Sequence, residues 1–295
     1  MINILEQLPD GILEVEANQL NQFIKNHTLV HLKGEVKRPL FISILQHGDE
    51  TTGWDAMKVL LKKYQNQLPR SIYLLFGNIQ AAAQNMRQLD KQPDFNRCWP
   101  GLHHKKDDVS KKMSFITDLM AKTKPFASID IHNNSGRNPH YAGINSTQDE
   151  FINLAALFSK TIIHFTSPDG IQSGAFAPFC PAVTIECGLS GAADGIEQTH
   201  SFLDELINLP SLKETSCSTT QQPVLNIFST VKVKPEISIA IPEKKTTDAF
   251  EQADFVINND LDCFNFQMLD KGTVFGKTKS LDTPMPFIVT DQSGR

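Results

Sequence analysis

The sequence lacks the features that mark several protein classes. No run approaches the roughly 18 consecutive apolar residues of a membrane-spanning helix, and the first ten residues have neither the basic start nor the apolar core of an export signal. A soluble, unexported, cytoplasmic protein without a membrane partner is therefore expected. The cysteines Cys98, Cys180, Cys187, Cys217 and Cys263 form an odd, scattered set without a CxxC pair. That excludes a disulfide framework and a structural zinc knuckle, and it fits a reducing compartment. A basic excess is also missing. With 28 Lys and Arg against 33 Asp and Glu, the formal charge of −5 is too weak and of the wrong sign to grip nucleic acid. Arginine is scarce, limited to Arg38, Arg70, Arg87, Arg97, Arg137 and Arg295, so guanidinium chemistry is concentrated in the N-terminal half. Tyrosine is rarer still: Tyr64, Tyr73 and Tyr141.

What is present is an ordinary globular composition, 40% hydrophobic over 295 residues. That length gives a prior of about two domains. Apolar runs at residues 41–45, 72–76, 126–131 and 182–185 predict buried strands. Helical spacing predicts helices over 54–64, where Met57, Leu60, Leu61 and Tyr64 share a face, and over 110–122 and 150–159. Such alternation predicts an α/β fold with a parallel or mixed sheet covered on both faces. After Leu212 the chain becomes polar and rich in Ser and Thr through Pro223, which reads as a linker dividing residues 1–215 from 216–295. Strand-like segments at 224–233, 236–241, 254–257, 263–269 and 286–289 make the second part a small β domain.

Three strand ends carry chemistry. The first strand runs into His47-Gly-Asp-Glu50, where two ligand types three residues apart on a tight turn around Gly48 can face one point; alone, the pattern is equally an exposed turn. Another strand ends at Asp130-Ile-His132, and in an open α/β sheet groups at the carboxyl ends of strands converge. Two His and one Glu suit Zn²⁺ and leave a fourth position for water, the catalytic arrangement. Asp130, on the side of the strand shared with His132, is either an orienting partner or a simple strand-end carboxylate. The third strand ends at Glu186-Cys-Gly188, making Glu186 the natural candidate for the general base that later returns its proton to a leaving nitrogen; taken alone, a strand-end Glu is equally a solvated or capping group. Between the first two lies Asp94-Phe-Asn96-Arg97-Cys-Trp-Pro-Gly, where Asn96 and Arg97 would anchor a carboxylate while Arg87 polarises a scissile carbonyl; a surface turn is the alternative. His103 and His104 read as exposed loop residues, and His27, His31, His164 and His200 as surface or satisfied core histidines.

The ordered set His47-Gly-Asp-Glu50, Gly77-Asn78, Arg87, Asp94-x-Asn96-Arg97-x-x-Pro-Gly, Asp130-x-His132 and Glu186-x-Gly188 resembles the zinc carboxypeptidase superfamily, most closely its succinylglutamate desuccinylase and aspartoacylase branch, over roughly residues 41–190. The resemblance implies a three-layer α/β/α sandwich with a mixed central sheet, followed by a C-terminal β domain that walls the site. It implies zinc on His47, Glu50 and His132, Glu186 as acid/base, Asn96 and Arg97 on a substrate carboxylate, and Arg87 on the reacting carbonyl. Two departures limit it: no Arg or Lys occurs between Thr166 and Ile185, where aspartoacylases resemble one another in having an arginine, and no tyrosine lies in the C-terminal part. Asn133 looks aspartoacylase-like, and Arg137 or Tyr141 would supply contacts peculiar to a subgroup.

The expectation is a zinc-dependent hydrolase with one ion per chain, cleaving an amide or peptide bond next to a free carboxylate, such as an N-acyl amino acid or a short peptide. A two-metal metallopeptidase using Asp49, Asp130 or His140, a non-catalytic metal-retaining binding protein, and a thiol hydrolase on Cys98 or Cys187 are the alternatives. A homo-oligomer stays open.

Overall fold

The computed structural model describes residues 2–65, 67–102, 107–136, 138–213, 223–241, 253–280 and 285–291. Arg137, His103, His104, Cys217 and the expected boundary at 215/216 lie outside the described residues.

Nine strands among them form one sheet: β1 (Asn3–Leu5), β2 (Thr28–Leu32), β3 (Gly34–Ile44), β4 (Leu68–Phe76), β5 (Ala127–Asn134), β6 (Tyr141–Ile144), β7 (Ile162–His164), β8 (Ala182–Leu189) and β9 (Val224–Asn226), in the order β1-β2-β4-β3-β5-β8-β6-β7-β9. β4, β3, β5 and β8 run parallel, whereas β2 pairs antiparallel with β4 and β6 antiparallel with β8. The sheet is therefore mixed. The helices are α1 (Thr52–Tyr64), α2 (Ile79–Ala82), α3 (Asp108–Thr123), α4 (Asp149–Phe158), α5 (Gln172–Phe176) and α6 (Ala193–Asn208).

The switch point falls at β3. From β3 the chain crosses through α1 to β4 on one side, and from β4 through α3 to β5 on the other. Right-handed crossovers running in opposite directions put α1 and α3 on opposite faces. α1 packs against α6, and α3 against α5, giving the three layers. Leu40, Phe41, Ile42 and Ile44 of β3 are fully buried between them, and Phe41 stacks on Phe176 at 4.6 Å. Each such side chain contributes about 1.5–3 kcal/mol on leaving water. The same topology opens a crevice beyond the C-terminal ends of β3 and β5, where ligands gather in open α/β sheets.

The chain divides into two compact units, Met1–Ser135 with His140–Asn226, and Gly136–Pro139 with Ile227–Arg295. In the second unit β10 (Ser229–Val233) pairs antiparallel with β14 (Phe287–Asp291), and β11 (Ile239–Ala240), β12 (Phe255–Ile257) and β13 (Gly276–Thr278) form a small sheet. Two expectations are corrected. Residues 224–233 are two strands of different sheets, β9 and β10, separated at Ile227–Phe228. Residues 263–269 are not a strand: a helical turn at Leu261–Phe264 leads into Phe266 at φ 58, which no strand accommodates. Among the described residues no helix is long and apolar enough to cross a membrane.

His27 also departs from expectation. It is 3% exposed, packs against Phe95 with tilted rings whose centroids are 4.6 Å apart, and neither ring nitrogen has a hydrogen-bond partner among the described residues. Burial first, and the Lys112 charge second, push its pKa down to about 4 against a smaller opposing pull from Asp108. The unfolded chain then takes up this proton at higher pH than the folded one, so stability is full above about pH 6.5 and is lost as pH falls toward 4. Between pH 7 and pH 5 this group costs about 2 kcal/mol. Urea denaturation at both pH values should show that loss in the wild type and a correspondingly smaller one in His27→Phe; equal losses would contradict it.

Candidate metal centre

Each site group stands at a strand end that the topology brings to one edge. β3 leads through Leu45 and Gln46 to His47, and the turn into α1 adds Glu50. Gly48 does not serve through an unusual φ. Its N–H donates to the Arg87 carbonyl at 3.0 Å, and a Cβ there would collide with the Ala81–Ala82 backbone.

His47, Glu50 and His132 are buried and offer ligand atoms within 4.8 Å of one another, the one such group among the described residues. His47 Nδ1 lies 2.8 Å from Glu50 Oε1 and His132 Nδ1 2.7 Å from Glu50 Oε2, so both imidazoles turn the same nitrogen to one carboxylate. Their far sides face acids. His47 Nε2 is 3.0 Å from Asp94 Oδ1, and His132 Nε2 is 3.0 Å from Asp130 Oδ2. Ser43 Oγ donates to Asp130 Oδ1 at 2.6 Å, and Asn96 Nδ2 approaches His132 Nε2 at 3.2 Å. Here the ionised Glu50 accepts from Nδ1 of both rings; a bound metal would take the place of those two protons, with Asp94 holding the proton on Nε2 of His47, the usual support of a metal-ligating imidazole.

The electrostatics follow from this crowding. Burial disfavours charge on His132, yet the Asp130 and Glu50 carboxylates raise its pKa well above the ordinary value. Burial likewise opposes charge on His47, but hydrogen bonds to Asp94 and Glu50 prevail and raise it. Glu50 is pushed up by burial and brought down to about 2 by the charge and hydrogen bond of His132 and by His47. An ionised carboxylate flanked by two inward-facing imidazoles is a donor set that fits a divalent cation such as zinc.

β8 runs beside β5 with Glu186 opposite His132, and β6 runs beside β8 with Tyr141 opposite Glu186. His132, Glu186 and Tyr141 thus form one row across three strands. Burial is the main cause that lifts Glu186 to about 7; His132 opposes it, while Glu50 and Asp130 add to it. Glu186 Oε2 is buried without a hydrogen-bond partner among the described residues. Burial, then the Glu186 and Glu50 charges, push the Tyr141 phenol up, so it stays neutral.

Arg87, with its side chain half exposed, places Nη1 3.2 Å from Glu50 Oε1 and Nη2 2.8 Å from His47 Nε2 and 3.7 Å from Asp94 Oδ2. Arg97 is half-buried and donates from Nη1 to the Asn96 carbonyl at 2.7 Å. Asn133 has its amide engaged by Thr52 and Gly188. Asp94, which nothing in the sequence marks as part of the centre, accepts both from His47 and from the Asn96 N–H at 2.9 Å. His140 is taken up by Gln198 at 2.6 Å, and Asp49 is exposed, so neither joins the metal-competent group. Cys98 and Cys187 are buried, and burial pushes the Cys187 thiol far up, the opposite of an activated nucleophile.

Residues 38–198, more than half of the chain, match the succinylglutamate desuccinylase/aspartoacylase catalytic domain model. The chain belongs to this family. Family membership assigns it to the hydrolases. Similar solved structures include the succinylglutamate desuccinylase of Chromobacterium violaceum, 16% identical over 74% of this chain and 75% of that one, with a TM-score of 0.55. Murine aminoacylase 3 is 17% identical over 83% and 84%, with a TM-score of 0.53. The product-bound ectoine utilization protein of Ruegeria pomeroyi is 15% identical over 89% and 83%, with a TM-score of 0.54. These likenesses show a shared desuccinylase/aspartoacylase fold. No match to the chain is found among curated proteins.

Proposed function

We propose that this family member is a zinc-dependent hydrolase of an amide or peptide bond adjacent to a free carboxylate, acting on N-acyl amino acids or short peptides. The observation that carries the reading is the buried His47–Glu50–His132 group with Glu186 in register beside it on β8. A bound zinc ion would supply Lewis acidity toward the carbonyl and an acidified water. The chain's own residues supply the rest. Asp94 holds the tautomer of His47, the Asp130 carboxylate backs His132, and Glu186 takes the proton of the attacking water and returns it to the leaving nitrogen. Arg87 donates to the oxyanion as charge develops, Asn96 and Arg97 hold the substrate carboxylate, and the neutral Tyr141 hydroxyl donates to the substrate beside Glu186.

An assay panel of N-acyl amino acids and short peptides, with and without chelator, tests this reading. Chelator-sensitive hydrolysis is the supporting result; a protein that binds such ligands without cleaving them would be a recognition protein instead. With a substrate identified, Arg97→Ala removes a charge-assisted hydrogen-bond donor, costing about 2 kcal/mol or roughly 30-fold in kcat/KM. The loss should fall mainly on KM, and an unchanged KM would free Arg97 from carboxylate binding.

A further inference from the structure

The side chain of Asn133 joins all three parts of the centre. It follows His132 on β5, so it projects to the other face of the sheet, where α1 packs. It is 7% exposed. Its Oδ1 accepts from the Thr52 N–H at 3.3 Å, and its Nδ2 donates to Thr52 Oγ1 at 2.9 Å and to the Gly188 carbonyl at 3.0 Å. Only the oxygen can accept from an N–H and only the nitrogen can donate to a carbonyl, so these partners fix which way the amide points.

Each partner is two residues from a functional group. Thr52 opens α1 two residues after Glu50, and its N–H is one of the unpaired donors of a helix start. Thr51, before it, makes no side-chain cap; its own N–H donates to Ser190 Oγ at 3.0 Å. Gly188 lies two residues after Glu186, at φ 72. One buried amide therefore ties the backbone of the Glu50 turn and the Glu186 strand end to the strand that carries His132.

We infer that Asn133 is the positioning residue of the centre, setting the spacing among Glu50, His132 and Glu186, and is not a substrate contact. The kinetic arm of its test rests on the hydrolase reading; the exchange arm does not. Amide hydrogen exchange of peptides covering 47–54 and 184–190 is measured in wild type, Asn133→Ala and Asn133→Asp, with metal release to a chelator and steady-state kinetics.

In Asn133→Ala both segments should exchange about 10-fold faster together, while peptides of β4 stay unchanged. Metal release should quicken about 10- to 100-fold, and kcat should fall with KM within about threefold. Asn133→Asp keeps an acceptor for the Thr52 N–H but sets an oxygen against the Gly188 carbonyl, so 184–190 should loosen while 47–54 stays protected. This split also decides the matter if the alanine variant does not fold. A raised KM with exchange and metal release at wild-type values would overturn the inference, as would loosening of a single segment in Asn133→Ala. If the wild type binds no metal and cleaves nothing, the hydrolase reading fails, and the exchange pattern still decides the role of Asn133.

Discussion

Glu186→Gln is expected to lower turnover by roughly 100- to 10,000-fold while leaving the metal content of the protein unchanged. Glutamine keeps the shape of the side chain and loses the oxygen that accepts a proton. Glu186 stands opposite His132 across β5 and β8, outside the ligand group itself, so its loss removes proton transfer without removing a metal donor. Burial lifts its pKa to about 7, which leaves both protonation states accessible near neutrality. That suits a group that first takes a proton and then gives it up. Parallel activity and metal measurements on the variant check this. Full activity would remove Glu186 from the mechanism, and loss of metal would move it into the ligand set.

Glu50→Gln has the opposite signature: metal binding is lost, and activity with it. Glu50 is the one acid of the ligand group, engaged by His47 on one oxygen and His132 on the other. The amide removes the negative charge and turns an NH₂ toward one imidazole. Deleting one member of a buried charge set costs about 3 kcal/mol or more, above 100-fold in affinity. A zinc titration of both proteins reads the difference, and wild-type affinity in the variant would exclude Glu50 as a ligand.

The parts of this architecture that were legible in the sequence are those whose pattern is local. β4, β5, β8 and the second half of β3 from Pro39 onward are largely buried and carry the apolar runs, and α1, α3 and α4 show helical spacing. The family-like order of His47, Glu50, His132 and Glu186 survives in the sequence because each residue follows a recognisable strand. α6 is hidden in the sequence because Gly195 and a polar first half mask its buried stripe of Thr199, Phe202, Leu203, Leu206 and Ile207. β6 and β7, four and three residues long, are too short to show a period. Asp94 could not be linked to His47 from sequence because that contact spans 47 residues and arises only when the loop folds over β3. The hydrogen bonds of Asn133 are hidden for a related reason: its partners, Thr52 and Gly188, lie 81 and 55 residues away.

The proposed hydrolysis requires that this strand-end cluster hold one catalytic metal ion. Its most direct test is the metal content, by mass spectrometry, of protein purified without added metal, compared with His132→Ala. About one zinc per chain in the wild type and little in the variant is the predicted result. No metal even after zinc titration, or equal loading in the two proteins, would contradict it.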